Sequence, residues 1–259
     1  MSDSLAVYIT GGLWVVAFVA YALRVMRFGQ FHSARVDSVG GTAIMGENIM
    51  QATYWAVEPV VRGLVAIGFS ANGVTTLALV LGIAAGVATA FGLFGLACLL
   101  ATISTICDIL DGQVARLTNT GSEAGELYDA AVDRYTEFAF IAGFVIYVHD
   151  SAWQMIVGLL ALQASYMISY ASAKAEALQV SIPRGLMRRH ERAAVLTLVA
   201  GLTPLLGPVL HERWALPETT VFVVGCGLVA LIGGIAGVLR FAWIRAALRE
   251  RLPSVAAAK

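Results

Sequence analysis

"CDILDGQVARLTNTGSEAGELYDAAVDRYTEF", residues 107–138, carries four aspartates and three glutamates between two long apolar runs. Charge held inside an oily chain is expensive to keep, so the setting of this stretch decides the fold and bears on the chemistry. The chain has 259 residues, 59% hydrophobic and only 13% charged, with a mean hydropathy of +0.79. A soluble domain is about 45–50% apolar and about 25% charged; this chain is solvated by lipid. Apolar runs of about 20 residues, enough to cross about 30 Å of hydrocarbon as helix, recur at 5–26, 71–91, 93–110, 127–148, 153–173, 193–209 and 220–243. The prediction is an all-α, polytopic membrane helical bundle with seven spans.

The N-terminus "MSDSLAVYITGG" lacks the positive region of a secretory signal, and Arg24 and Arg27 follow the first apolar run. It reads as a retained anchor that starts outside the cytoplasm. Threading the other spans from there leaves only Arg213, of 17 Lys and Arg residues, on the outer side. The 107–138 stretch then faces the cytoplasm, in a cell (inner) membrane. A Gly- and Ser-rich linker completes an N-terminal unit, 1–46, and a membrane domain occupies 47–259. That domain opens with an amphipathic segment, 47–69, in which Ile49, Tyr54, Trp55, Val57, Val61 and Leu64 lie among polar residues. This spacing predicts a helix lying in the membrane interface, with a break or kink at Pro59. Six spans follow within 71–252. Cys98, Cys107 and Cys226 lie in apolar runs with no metal-ligand spacing and read as packed thiols. The C-terminal "RFAWIRAALRERLPSVAAAK" reads as a basic helix end touching anionic headgroups of the membrane lipids. Small-residue runs, "GLVALIGGIAG" and "LGIAAGVATAFG", permit close helix packing, within the bundle or in a homodimer. No nucleic acid is expected among the partners.

Asp108 and Asp111 are spaced i,i+3 and share a helix face; Asp129 and Asp133, spaced i,i+4, share a face of the next helix. The short "TNTGS" joins the two helices, so the faces can meet. Four carboxylates in one small volume repel one another and shift one another's pKa, unless cations occupy the volume. Hard oxygen ligands suit Mg²⁺, Mn²⁺ or Ca²⁺ rather than zinc. Gly112, Ala115 and Gly125 clear side chains from where a bulky ligand would approach the backbone, and Arg116 can grip a phosphate with two donors. Metal, phosphate donor and a spare carboxylate point to phosphoryl-group chemistry. A single aspartate here would read as a helix-end charge in the headgroup region. Four at these spacings do not.

The pattern D-x-x-D-G-x-x-A-R, eight residues, G-x-x-x-D-x-x-x-D resembles the signature of the CDP-alcohol phosphotransferase family, met at Asp108, Asp111, Gly112, Ala115, Arg116, Gly125, Asp129 and Asp133. At average residue frequencies such a match arises by chance roughly once in 10¹⁰ starts. The resemblance implies the family's six-helix core, to which the first span is an extra N-terminal transmembrane helix. It implies that the four aspartates hold two divalent ions, Mg²⁺ or Mn²⁺, on the pyrophosphate of a CDP-linked lipid such as CDP-diacylglycerol. Asp108, Gly112, Ala115, Arg116, Ser122 and Gly125 would cradle that donor. Asp133 would be the general base that deprotonates the acceptor hydroxyl, with CMP expelled. Glu137, a turn further on, matches no family role and reads as a partner of Arg134 or a polar lining.

A second stretch, "SYASAKAEALQVSIPRGLMRRHERAAVL", residues 169–196, forms the next turn at the same end and gathers Lys174, Arg184, Arg188, Arg189, His190 and Arg192. Such a patch suits a phosphorylated acceptor. Its layout resembles the family branch that makes phosphatidylinositol phosphate or archaetidylinositol phosphate from inositol phosphate. On that resemblance Lys174 and Arg192 contact the acceptor phosphate, joined by Arg188 and Arg189. His190, and Ser172 in place of a basic residue, depart from the branch pattern. Free inositol and glycerol 3-phosphate are the alternative acceptors. A cation transporter is the alternative of another class, although transporters place their carboxylates near the midplane on interrupted helices.

Overall fold

The structure is a computed structural model that describes residues 3–33, 36–37, 46–183 and 185–256. Most of the linker, and Arg184 of the cationic stretch, lie outside the described residues. Eight helices follow one another among those described: α1 (Asp3–Phe28), α2 (Glu47–Ala66), α3 (Ala71–Ala90), α4 (Phe94–Thr118), α5 (Glu123–Tyr147), α6 (Ala152–Ala177), α7 (Arg189–Trp214) and α8 (Thr220–Ala256). There is no strand among the described residues.

Six of the eight, α1, α3, α4, α6, α7 and α8, are long and apolar enough to cross a membrane. The expected fourth span, α5, fails that test of composition because Asp129, Asp133, Arg134 and Glu137 lie in it. Packing supplies what composition withholds. α5 runs parallel to α3, with Tyr128 Oη 3.0 Å from Thr76 Oγ1 at one end and Gly143 against Gly86 and Ala90 at the other. It therefore traverses the same depth as a helix that spans. A Cβ on Gly82 would overlap Thr136, and one on Gly86 would overlap the Ala139 carbonyl. These glycines of the "LGIAAGVATAFG" run thus serve contact within the bundle. Gly233 does the same for α8, where a Cβ would stand 3.3 Å from Ala164 and Ile168 of α6.

The helices overrun the apolar runs at the end that bears the aspartates. α4 continues to Thr118 and α7 begins at Arg189, because polar side chains there find partners rather than lipid. Ser122 starts α5, its hydroxyl accepting from Gly125 N at 3.1 Å, and Glu123 and Glu126 complement the helix dipole in the first turn. Asn119, at φ 54°, ends α4 in the left-handed region that Asn tolerates. Only four residues separate α4 from α5, which holds them as antiparallel neighbours.

The two ends of the bundle are built differently. Away from the aspartates, Phe94, Phe140, Phe144 and Phe222 form a closed aromatic core, with the Phe144 and Phe222 ring centroids 4.5 Å apart. At the aspartate end the helices stand around a cavity of about 1920 Å³. α2 is amphipathic, burying Gln51, Ala52, Val57 and Val61, the two valines beside Val74, Cys107, Leu110 and Val114. Of the break or kink expected at Pro59, the break does not occur; the helix continues through it. A proline there loses its N–H bond and crowds the carbonyl four residues back, and buried Val57 and Val61 on either side hold the segment helical. The helical remainder, with Glu58 and Arg62 paired at 2.6 Å on its outer side, fits the expected interfacial helix.

Candidate active site

Three carboxylates meet on the facing surfaces of α4 and α5. Asp108, Asp111 and Asp129 each place one oxygen within 4.8 Å of the others. Asp111 is held by Thr75 of α3, whose hydroxyl donates to Oδ2 at 2.6 Å. Asp108 accepts from Arg189 Nη1 at 2.8 Å. The buried Oδ1 of Asp129 receives no hydrogen bond from the described residues. Asp133, the fourth expected ligand, stands one turn deeper and is not in this group of three; Arg189 reaches it with Nη2, and Arg134 lies 3.9 Å away. One guanidinium thus serves two carboxylates while an acidic oxygen stays orphaned. That imbalance, with hard oxygen donors only, fits a divalent cation.

The residues expected to cradle the donor line the same cavity: Asp108, Gly112, Ala115, Arg116, Ser122 and Gly125. Arg116 is exposed and makes no ion pair with a described residue. A Cβ on Gly112 would stand 3.3 Å from Arg116 Nη1, so the glycine leaves the guanidinium room to move. Ser122 doubles as the cap of α5.

The expected acceptor residues divide. Arg188, Arg189 and Arg192 line the cavity; Lys174 is exposed and outside its lining. Arg192 is 1% exposed, and its donors have partners: Nε and Nη2 bond the two oxygens of Glu137 at 2.7 and 2.9 Å, and Nη1 bonds Met187 O at 2.8 Å. Glu137 therefore partners Arg192, not Arg134. His190 lines the cavity too.

Arg240 of α8 was not legible as a site residue. The sequence places it at the start of a basic helix end touching headgroups. In the structure it is 7% exposed and lines the cavity. Nη1 donates to Ser172 Oγ at 2.6 Å; among the described residues Nε has no hydrogen-bond partner and no carboxylate bonds the guanidinium. The available signal was Ser172, the position where a basic residue was expected: α8 brings one to it from elsewhere in the chain.

Exposed Leu, Val, Ile and Phe cover the outside of the helices, so fold and site together define a multi-pass integral membrane protein with a cavity whose charged end suits phosphate-bearing ligands and a divalent cation. Residues 69–243 match the family model described as CDP-alcohol phosphatidyltransferase. The chain belongs to that family and is a transferase; the transport alternative is not supported. Among similar proteins, the phosphatidylinositol phosphate synthase of Corynebacterium glutamicum is 30% identical over 65% of this chain and 80% of its own. The archaetidylinositol phosphate synthase of Methanothermobacter thermautotrophicus is 27% identical over 68% and 88%. The crystal structure of Mycobacterium tuberculosis phosphatidylinositol phosphate synthase with CDP-DAG bound superimposes with a TM-score of 0.63 at 26% identity, over 74% of this chain and 92% of that one. The same enzyme has been solved in complex with manganese and citrate, with a TM-score of 0.63 over 72% of this chain and 87% of that one.

Proposed function

We propose that this protein transfers the phosphatidyl group of CDP-diacylglycerol to inositol phosphate and releases CMP, at the cytoplasmic face of the cell membrane. The observation that carries the reading is the convergence of Asp108, Asp111 and Asp129, with one orphaned oxygen, at the head of a cavity flanked by guanidinium groups. Two divalent ions, Mg²⁺ or Mn²⁺, held by the four aspartates would neutralise the donor's pyrophosphate. Arg116 grips a donor phosphate through its planar fork, while Gly112, Ala115 and Gly125 let the nucleotide approach the helices. Asp133 takes the proton of the acceptor hydroxyl. The freed oxygen bonds to the lipid-side phosphorus as that phosphorus loses its bond to CMP, which departs with the electron pair.

The acceptor reading rests on excess positive charge. No carboxylate among the described residues bonds Arg240, and Arg188 lines the same space. A buried guanidinium without a counter-ion is costly, and an acceptor phosphate supplies the missing charge. That argument favours a phosphorylated acceptor over free inositol. The names of the similar proteins favour inositol phosphate over glycerol 3-phosphate. Arg192, matched to Glu137, then organises the site through Ser169 and Met187. The test is CMP release by the purified protein from CDP-diacylglycerol and Mg²⁺ with each acceptor in turn. Inositol phosphate should give the highest kcat/KM. Equal rates with free inositol would sink the phosphate reading, and no CMP with any acceptor would sink the donor reading.

A further inference from the structure

Helix α1 lies outside the family-matched residues 69–243, yet it borders the cavity that those residues build. It is pinned at both ends. Near its start, Asp3 Oδ1 accepts from Leu96 N of α4 at 2.9 Å, and the Asp3 backbone fits against Gly95 so closely that a Cβ there would overlap it. Towards its other end the Tyr21 ring lies 5.7 Å from that of Trp55 on α2. Between these anchors Val7, Thr10, Gly11, Trp14 and Phe18 line the cavity. Their spacing of three and four residues is one helical stripe. Thr10 directs its hydroxyl to Ala6 O at 2.9 Å, so the stripe offers no free polar group apart from the indole N–H. Trp14 and Phe18 stack with centroids 5.6 Å apart.

Opposite this stripe, the cavity wall on α4 climbs from Asp108 to Cys98. Ten residues of helix rise about 15 Å, half of the roughly 30 Å hydrocarbon core and thus the depth of one leaflet. The total, about 1920 Å³, exceeds the roughly 300–1,000 Å³ of an ordinary small-molecule site. A ligand with phosphates at the carboxylates and an apolar tail one leaflet long fills that shape. We propose that α1 is the outer wall of a groove for one acyl chain of the donor lipid, and that its Val7–Phe18 stripe sets which chains the enzyme accepts. This rests on the donor reading above and adds to it a specificity element that the matched core does not contain.

Gly11 and Gly12 provide the test. A Cβ at either meets nothing within 4 Å, and only Gly11 lines the cavity. Replacing a helical glycine favours the helix, so Gly11→Leu and Gly12→Leu both fold. Gly11→Leu narrows the groove and should lower kcat/KM for a dioleoyl CDP-lipid roughly tenfold, with little change for a dihexanoyl one. Gly12→Leu should leave both donors unchanged. Equal losses for both donors, or the same loss in Gly12→Leu, would overturn the groove. A binding readout stands beside the rates: dioleoyl CDP-lipid should shield Gly11→Cys from a membrane-soluble thiol reagent and leave Gly12→Cys open, and equal labelling of the two refutes the proposal. No CMP release from the unaltered enzyme with either donor would sink the donor reading and this one with it; chain-length-independent behaviour sinks this one alone.

Discussion

Asp133 and Glu137, one turn apart on α5, are treated in opposite ways. Glu137 has both oxygens matched by the fork of Arg192, whereas Asp133 shares the guanidinium of Arg189 with Asp108 and has Arg134 only at 3.9 Å, and nearby Asp129 keeps an oxygen with no hydrogen bond from the described residues. The first arrangement is neutral and closed. Its bidentate bonds tie α5 to α7, and nothing further is needed. The second holds more negative charge than the described residues neutralise. In the same cavity Arg240 shows the reverse imbalance, a buried guanidinium that bonds only hydroxyl and carbonyl oxygens among the described residues. Matched charge holds the helices together, and unmatched charge marks where a ligand of opposite sign belongs.

The largest effect should come from the acidic excess. Asp108→Asn, Asp111→Asn and Asp129→Asn should each abolish CMP release. Their thermal unfolding in the absence of metal should stay unchanged or shift upward, because each removes a repelling carboxylate. Near-normal turnover in all three at limiting Mg²⁺ would break the comparison. Glu137→Gln should do the converse. Removing one partner of a buried pair costs about 3–5 kcal/mol, so this variant should unfold at markedly lower temperature. Combining it with Arg192→Met should restore much of that loss. An unchanged Tm in Glu137→Gln would show that the pair is not structural.

Much of this was legible in the residues. The eight motif positions named the α4–α5 face, because helical spacing alone puts i,i+3 and i,i+4 carboxylates on one side. The spans were legible where lipid writes them in apolar residues. α5 was legible too, as the run 127–148, although its inward face carries the carboxylates; its parallel packing beside α3 agrees with that span. What sequence could not give was partner choice. Arg192 and Lys174 looked alike as cations around one turn; tertiary packing buries the first on Glu137 and leaves the second exposed. Arg240 lies 48 or more residues beyond the acceptor motif at 169–192, and no local pattern links it to Ser172.

Arg240 should give a smaller and more selective effect than either acidic class. In Arg240→Met a charge-assisted contact to the acceptor phosphate, worth about 1.5–3 kcal/mol, is lost. That is roughly 10- to 100-fold in kcat/KM for inositol phosphate. With free inositol the penalty should shrink, and donor binding should hardly move. Because an uncompensated buried charge has also gone, the variant should be no less stable than the original. Lys174→Ala, measured alongside, should fall by much less, since the lysine lies outside the cavity lining. Equal losses for both acceptors in Arg240→Met would make that arginine a packing group.

The smallest effect concerns Arg189, which belongs to both sides of the comparison. Its guanidinium bonds Asp108 and Asp133, carboxylates that the proposed reaction gives to cations and to the acceptor's proton. Guanidinium and divalent ion therefore compete for the same oxygens, and the arginine should weaken metal binding in the resting enzyme. Arg189→Gln keeps a hydrogen-bond donor but removes the charge. Apparent affinity for Mn²⁺, followed by the ion's own paramagnetic signal, should then tighten by a few-fold, on the order of 1 kcal/mol or less for a partly solvated charge. At saturating metal the variant's acceptor KM should rise, since a guanidinium released from the carboxylates faces the cavity and its phosphate. Weaker Mn²⁺ binding in Arg189→Gln would mean that Arg189 props the ligand set in place, and the acidic cluster would then need its arginine as well as its metal.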